Sequence, residues 1–389
     1  MLVFRVARLA NVLALGFCAF ILASSPNLSY GQIRPVRFIP LGDAAGGEFN
    51  SHAAAVSADG RVVVGTGRNA QGTVALHWTE QGGITEIPPA HPEKRYRSTG
   101  QDVSSDGRTV VGESSSAESF RGVNMPQGYV WTAESGIRLL GSLPGVFPSS
   151  AARAVSGDGT IVGGQVSAKV RGVGGGFGFA WTQSEGLNIL PASSTIVPRD
   201  VRGISSDGTA AVGVGFEYTE DGPLRFSNGK RGRRTAFQAF NTGELQAMGV
   251  LPGHLSSMAM DVSHQGRYVV GSSEKKGGAE AYIWDAARGI RGLGHLQRHE
   301  VSFANGISDD GRIVVGVSGK EDRRAFIWTQ DTGMRDLQSL AVDAGLDLNG
   351  WVLKVASDVS ADGRTIVGSG TNPQGKREGW ILRLTVEAN

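Results

Sequence analysis

The chain has 389 residues, and its 38 Lys and Arg nearly balance its 36 Asp and Glu. That balance argues against nucleic acid as a partner, because such binding needs a clustered basic surface. Fifty-eight glycines, with Val and Ile in short bursts, make an all-β composition and exclude a helical bundle or a disordered chain.

Residues 1–31 read as a secretory signal. Arg5 and Arg8 form a positive start, and Leu9 to Ala23 is apolar apart from Asn11. Ser29-Tyr30-Gly31 places small residues ahead of a cut before Gln32, with a cut nearer Ala23-Ser24-Ser25 as the alternative. The apolar run is shorter than the ~18–20 residues a membrane span needs, so no stable span is expected after cleavage. Cys18 is the sole cysteine and lies inside this segment, and Phe17 directly before it is wrong for a lipoprotein cut. The mature chain, 32–389, then has no thiol, no disulfide and no Cys-bound metal. Removing Arg5 and Arg8 leaves it without net charge.

From Val56 onward one stretch recurs seven times, starting at Val56, Val103, Val155, Ile204, Val262, Ile307 and Val359. It reads Val/Ile-Ser-x-Asp-Gly, with Gln265 once replacing Asp, and closes on a Gly five residues after the turn Gly: Gly65, Gly112, Gly164, Gly213, Gly271, Gly316 and Gly368. Ser can accept backbone N–H bonds and Gly tolerates positive φ, so Ser-x-Asp-Gly predicts a tight turn between two strands, a and b. One carboxylate per turn is a poor calcium site, and turn chemistry alone accounts for Asp.

A second signature follows each copy. It appears as Leu76-His77-Trp78, Tyr129-Val130-Trp131, Phe179-Ala180-Trp181, Tyr282-Ile283-Trp284 and Phe326-Ile327-Trp328, each with a Gly five residues after Trp. This predicts strands c and d, with Trp packing between units. The fourth unit, at Ala236-Phe237-Gln238, lacks Trp, and the seventh has Leu382 in its place. The apolar alternation Met334-Arg335-Asp336-Leu337 reads as strand d of the sixth unit.

The seventh unit stops after strand c, and Val36-Arg37-Phe38-Ile39-Pro40-Leu41-Gly42 resembles a d strand. Complementary half-repeats at the two ends close a ring. The expected fold is therefore all-β: a seven-bladed β-propeller of four-stranded antiparallel blades, closed by residues 35–42 as the outer strand of the last blade. The hairpins a–b fall near 53–65, 100–112, 152–164, 201–213, 259–271, 304–316 and 356–368.

The alternation of Val-Ser-x-Asp-Gly-Arg-x-Val-Val-Gly with Ala-Phe/Tyr-x-Trp resembles the HAF-type extracellular repeat proteins of bacteria. So does the tail Asn349-Gly350-Trp351-Val352-Leu353, followed by Gly370 to Gly375. The likeness runs over about residues 33–389. It implies export and a propeller-like fold, and it brings no activity and no catalytic residue.

In such a meander the a–b and c–d turns share one face, and the b–c and d–a loops share the other. The turns repeat, whereas the loops differ in every blade and run to 22 residues in Val214–Thr235. Binding is expected on that loop face. Two residues before the Val/Ile of strand a stand Ala54, Gln101, Arg153, Arg202, Met260, Asn305 and Ser357. Gln101, Arg153, Arg202 and Asn305 would give a central channel a polar rim. Tyr96, Tyr218 and Phe303 are the aromatic candidates beside it. The basic run Lys230-Arg231-Gly232-Arg233-Arg234 reads as a solvated loop, or as a dock for an anionic partner.

No metalloprotease helix motif, nucleophile elbow or phosphate loop is present. His295 and His299 are four apart but lie in an expected loop, so no metal site is assigned, and no catalytic residue and no cofactor are assigned either. The expectation is a monomeric, exported binding or scaffold module for an extracellular glycan or protein. The alternative is a carbohydrate-active hydrolase or lyase with its site at the channel mouth.

Overall fold

Each Ser-x-Asp-Gly stretch folds as its residues dictate. In the second unit the Ser104 hydroxyl donates to Asp106 and accepts from Thr109 N–H, while Asp106 also accepts from Arg108 N–H. Gly107 then turns the chain at φ +76°. The Ser104 hydroxyl, followed by that backbone donor, holds the Asp106 carboxyl below its usual range. The Asp of the repeat is thus spent on its own turn. In the fifth unit Gln265 takes the Asp position with φ +56°, and a short 3₁₀ turn, His264–Gly266, replaces the regular one.

A computed structural model describes residues 33–94, 96–143, 147–170, 173–220, 222–225 and 231–386. The expected signal segment, 1–31, lies outside the described residues, as does Lys230 of the basic run. Among the described residues, no helix is long and apolar enough to cross a membrane.

The strands assemble into seven antiparallel blades, as expected. Blade 1 is typical, with a at His52–Val56, b at Val62–Asn69, c at Gly72–Thr79 and d at Gly83–Ile87. Blade 7 is closed by the N-terminal strand Ile33–Gly42, which pairs with Arg377–Val386 in register Phe38 to Leu382 and Ile39 to Ile381. Leu41 is buried there, and the Phe38 ring meets Trp351 edge-on at 5.2 Å. Ser51 welds the joint, donating to Gly42 O while accepting Gly379 N–H at 3.2 Å. The same clip recurs at Ser98, Ser150, Ser257 and Ser302, each holding strands c and d of the preceding blade.

Two features differ from the sequence reading. Leu337 does not continue strand d of blade 6. Asp336 accepts Ser339 N–H and caps a helix, Leu337–Asp343, whose Leu337 and Leu340 fill the joint between blades 6 and 7. The long b–c connections are largely hairpins rather than loops. In blade 4 strands b and c run out to Tyr218 and from Arg231, and a fifth strand, Leu224–Arg225, pairs beyond them.

The hydrophobic cores lie between blades, one at each of the seven joints. Ala55, Val64 and Ile87 of blade 1, for example, pack with Val110 and Tyr129 of blade 2. The residue two before the Trp position is the more deeply buried: Tyr129, Phe179, Phe237, Tyr282, Phe326 and Trp380 are all fully enclosed. Blade 7 therefore places its Trp one slot earlier in the same role, which explains Leu382. The closing Gly of each repeat pairs with this slot, as Gly112 does with Tyr129 and Gly368 with Trp380. A Cβ on any of these glycines would overlap a strand-a carbonyl, that of Thr99 for Gly112 and of Ala151 for Gly164.

Two outcomes follow for stability. Gly164→Ala should destabilise by about 1–3 kcal/mol or more, the usual cost of overpacking, and an unchanged chemical-denaturation midpoint would contradict the crowding. Deleting residues 32–44 from the mature chain strips the last blade of its outer strand and exposes the Ile381 side of the joint. Size-exclusion chromatography and calorimetry should show unfolding or association. A monomeric variant with an unchanged melting temperature would contradict closure.

Candidate functional site

Every strand a carries a β-bulge at one position. Register shifts fall at 53/55, 100/102, 152/154, 201/203, 259/261, 304/306 and 356/358. The skipped residues are Ala54, Gln101, Arg153, Arg202, Met260, Asn305 and Ser357. A bulge re-aims one side chain without breaking the strand. Here all seven line a central channel of about 370 Å³. The four polar candidates, Gln101, Arg153, Arg202 and Asn305, therefore all face the channel, from blades 2, 3, 4 and 6.

Arg153 and Arg202 are neighbours, as expected, but they are not independent. Asp200 sits between them, accepting Arg153 Nε at 3.0 Å and Arg202 Nε at 3.1 Å. Its side chain is 4 % exposed, against 31 % and 29 % for the two arginines. Burial pushes the Asp200 carboxyl up, and the two guanidinium charges pull it down, with the net direction upward. Arg202 also reaches Met260 Sδ at 3.3 Å. Asn305 donates to Ala356 O at 2.8 Å and ties blade 6 to blade 7. Each guanidinium thus holds Asp200 through Nε, which fixes the plane of its fork at the channel wall.

The aromatic candidates do not form one group. Phe303 lines a second cavity, of about 620 Å³, that shares Arg202, Met260 and Asn305 with the channel. Tyr96 lies on the loop before blade 2, where its hydroxyl meets Asn69 Nδ2 at 3.1 Å and its ring packs near Val74. Tyr218 ends strand b of blade 4, near Arg199, whose guanidinium stacks on Phe177 at 4.4 Å and Phe216 at 5.3 Å. Neither tyrosine lines the channel. His295 and His299 turn to Ala279 O and Ser318 Oγ respectively.

One step deeper than the bulge lies a set the sequence reading did not single out. The next residue in each strand a is Ala55, Asp102, Ala154, Gly203, Asp261, Gly306 or Asp358. Each Asp accepts the N–H of its own following residue and reaches across the joint for a second: Asp102 takes Val155 N–H at 2.8 Å, Asp261 takes Ile307 N–H at 2.9 Å and Asp358 takes Val56 N–H at 2.9 Å. These are channel-facing donors of innermost strands, where no further strand pairs. The sequence signal was present as a column of Asp, Ala and Gly. The glycines are steric, since a Cβ on Gly306 would lie 2.9 Å from Asp358 Cα and one on Gly203 3.1 Å from Asp261 Cα.

Burial raises all three carboxyls, and their mutual repulsion adds to it. Asp102 is pushed up to about 7, Asp261 to about 8 and Asp358 to about 7. Near the mouth His52 moves the other way, down to about 4, through burial and then the Arg377 charge.

The sign of the pH effect follows. A carboxyl whose pKa is higher folded than unfolded stabilises the fold below its unfolded pKa and loses that contribution as pH rises through the folded value. The window here runs from about 4 to about 8. Asp102→Ala, which copies Ala55 and Ala154, should reduce the fall of melting temperature with rising pH. The wild-type advantage should be larger near pH ~5 than near pH ~9. A gap that is constant or grows with pH would refute a raised Asp102.

No protein-family model matches the sequence, and no curated protein matches it. Among solved structures, the chain is similar to a putative TolB from Agrobacterium tumefaciens, at 14 % identity over 74 % of this chain and 89 % of that one, with a TM-score of 0.41. It is also similar to TolB from Acinetobacter baumannii, at 12 % identity over 86 % of each chain and a TM-score of 0.42. A hydrazine synthase from Kuenenia stuttgartiensis gives 14 % identity over 88 % of this chain and 96 % of that one, with a TM-score of 0.45. At such identities the likeness is one of fold alone.

Proposed function

We propose that this is an exported binding module, of the HAF-type repeat kind, which takes its ligand on the loop face at the channel mouth. The observation that carries this reading is the convergence of seven bulges on one axis, with Arg153 and Arg202 locked on Asp200 beside a cavity large enough for a small ligand. Orienting charged groups on a rigid scaffold before a ligand arrives lowers the cost of binding. The blades supply rigidity, and the loops supply difference. Export rests on the residue pattern of 1–31, and the ligand is an extracellular glycan or protein.

The test uses purified residues 32–389 against arrayed bacterial and algal polysaccharides and envelope extracts, reading binding and product release together. Arg153→Lys with Arg202→Lys keeps a cation beside buried Asp200 but removes both planar forks. Alanine would instead leave that carboxylate unpaired, at a cost of about 3–5 kcal/mol. The lysine pair should weaken the captured ligand about tenfold or more, the scale of a lost charged hydrogen bond, with little change in melting temperature. Asp106→Asn with Asp207→Asn, on the turn face, should lower melting temperature and leave affinity alone. If the turn pair abolishes binding and the lysine pair does not, the module binds on the other face.

A further inference from the structure

The cavity beside the channel mouth has a chemistry of its own. It lies over blades 5 and 6, between the hairpin tip at Lys275–Gly278 and the loop at Gly319–Arg323. Four cations line it, Arg202, Lys275, Lys320 and Arg323, against one carboxylate, Glu274. Glu274 is already engaged by Arg234 at 3.1 Å and Ser256 Oγ at 3.0 Å. The lining itself thus carries more cations than carboxylates, with Asp200 held against Arg202 and with Glu321 and Asp322 in the same loop as Lys320 and Arg323.

These cations are positioned. Lys320 Nζ donates to Gly277 O at 2.8 Å and bridges the two blades, and Arg323 Nε donates to Lys320 O at 3.3 Å. Across the mouth Arg377 stands near Arg323, and its pKa is lowered first by burial and then by that second guanidinium. A cavity whose lining cations outnumber its carboxylates is a site that an anion stabilises. Behind them the wall is apolar, formed by Met258, Phe303 and Val317.

We propose, resting on the loop-face reading above, that this cavity binds an acidic oligosaccharide, a short chain of sugar rings bearing carboxylates. Cations spread along a pit of about 620 Å³ match a ligand whose charges repeat, rather than one terminal group. Sugar rings have an apolar face for Phe303 and the methionine, and carboxylates for the arginines and lysines. An extended acidic peptide fits less well, because the floor offers no strand edge for it to join. Val301 already bridges Ala279, and its carbonyl accepts from Gly319 N–H and Ser318 Oγ.

The test is calorimetric titration of residues 32–389 with three probes: an oligogalacturonate of about five rings, the same oligosaccharide with its carboxylates reduced, and an oligoglutamate of similar charge. The oligogalacturonate should bind, weaken steeply with salt, and lose about tenfold or more in affinity in Lys320→Ala/Arg323→Ala. That pair is exposed, so its melting temperature should match wild type. The reduced sugar should not bind. Failure of the oligogalacturonate to bind, or binding that ignores the double substitution, would overturn the proposal. Equal or tighter binding of oligoglutamate would overturn the saccharide assignment in favour of an acidic peptide. If an arrayed ligand depends on Arg153 and Arg202 while oligogalacturonate does not bind, the loop-face reading stands and this one falls.

Discussion

The structure depends on a crowded contact repeated seven times. In each blade the bulge of strand a thrusts a backbone carbonyl against strand b, where only a glycine leaves room for it. On the same glycine lies the large side chain of strand c, Tyr129, Phe179 or Trp380. The three inner strands are fixed to one another at that point, without a side chain on strand b. Because the contact is the same in every blade, the bulged residues arrive at the same height around the axis. A channel lined by one side chain per blade is the geometric result.

That ring then faces an electrostatic problem. Innermost strands present N–H groups to a narrow channel, and three aspartates meet the need in blades 2, 5 and 7. Each serves the next blade, so the carboxylates are also joints between blades. Burial and mutual repulsion favour their protonated forms, while the backbone donors favour the charged ones. Crowding by Asp261 and Asp358 keeps the preceding blades at Gly203 and Gly306. Higher in the channel the sign changes, with Arg153 and Arg202 around Asp200, then Arg323 and Arg377 at the rim. The titratable groups are thus layered along the axis, with carboxyls deep and guanidiniums nearer the loops.

Much of this was legible in the residues, for a physical reason. A turn of Ser, Asp and Gly encodes itself locally, and its recurrence gives the blade count directly. Closure could be read from the half-repeats because the outer strand must supply Phe38 to the joint between blades 6 and 7, and Ile39 and Leu41 to the joint between blades 7 and 1. The channel residues followed from equivalence, since positions counted from the same turn occupy the same place in each blade. What could not be read depends on contacts between loops. Lys275, Lys320 and Arg323 are far apart in sequence and share no repeat position, so only the fold brings them to one cavity. Tyr96 and Tyr218 fail for the converse reason. They stand on the expected face, but neither the loop before blade 2, which carries Tyr96, nor the end of strand b in blade 4, which carries Tyr218, lines the channel. The helix at Leu337 was hidden because Asp336 serves both as the end of a strand and as an N-cap.

The turn face is not blank, although it looks uniform. The variable residue of Ser-x-Asp-Gly points to the axis and links to its neighbour, Ala58 N–H to Ser105 O, Ser105 N–H to Gly157 O, Gly157 N–H to Ser206 O and Asp309 N–H to Ala361 O. Where blade 5 departs from the repeat, side chains take over, with Ser206 Oγ at 2.8 Å from His264 Nδ1 and 3.3 Å from Asp309. These bonds draw the turns together across the end of the channel. The turn end of the axis is therefore laced by short turn-to-turn bonds, while the connections at the other end are long and unlike from blade to blade. The channel is lined from the bulged residues down to those turns, so what distinguishes its two ends is uniform, bonded backbone at one and varied side chains at the other, and the proposed ligand site is placed where the side chains vary.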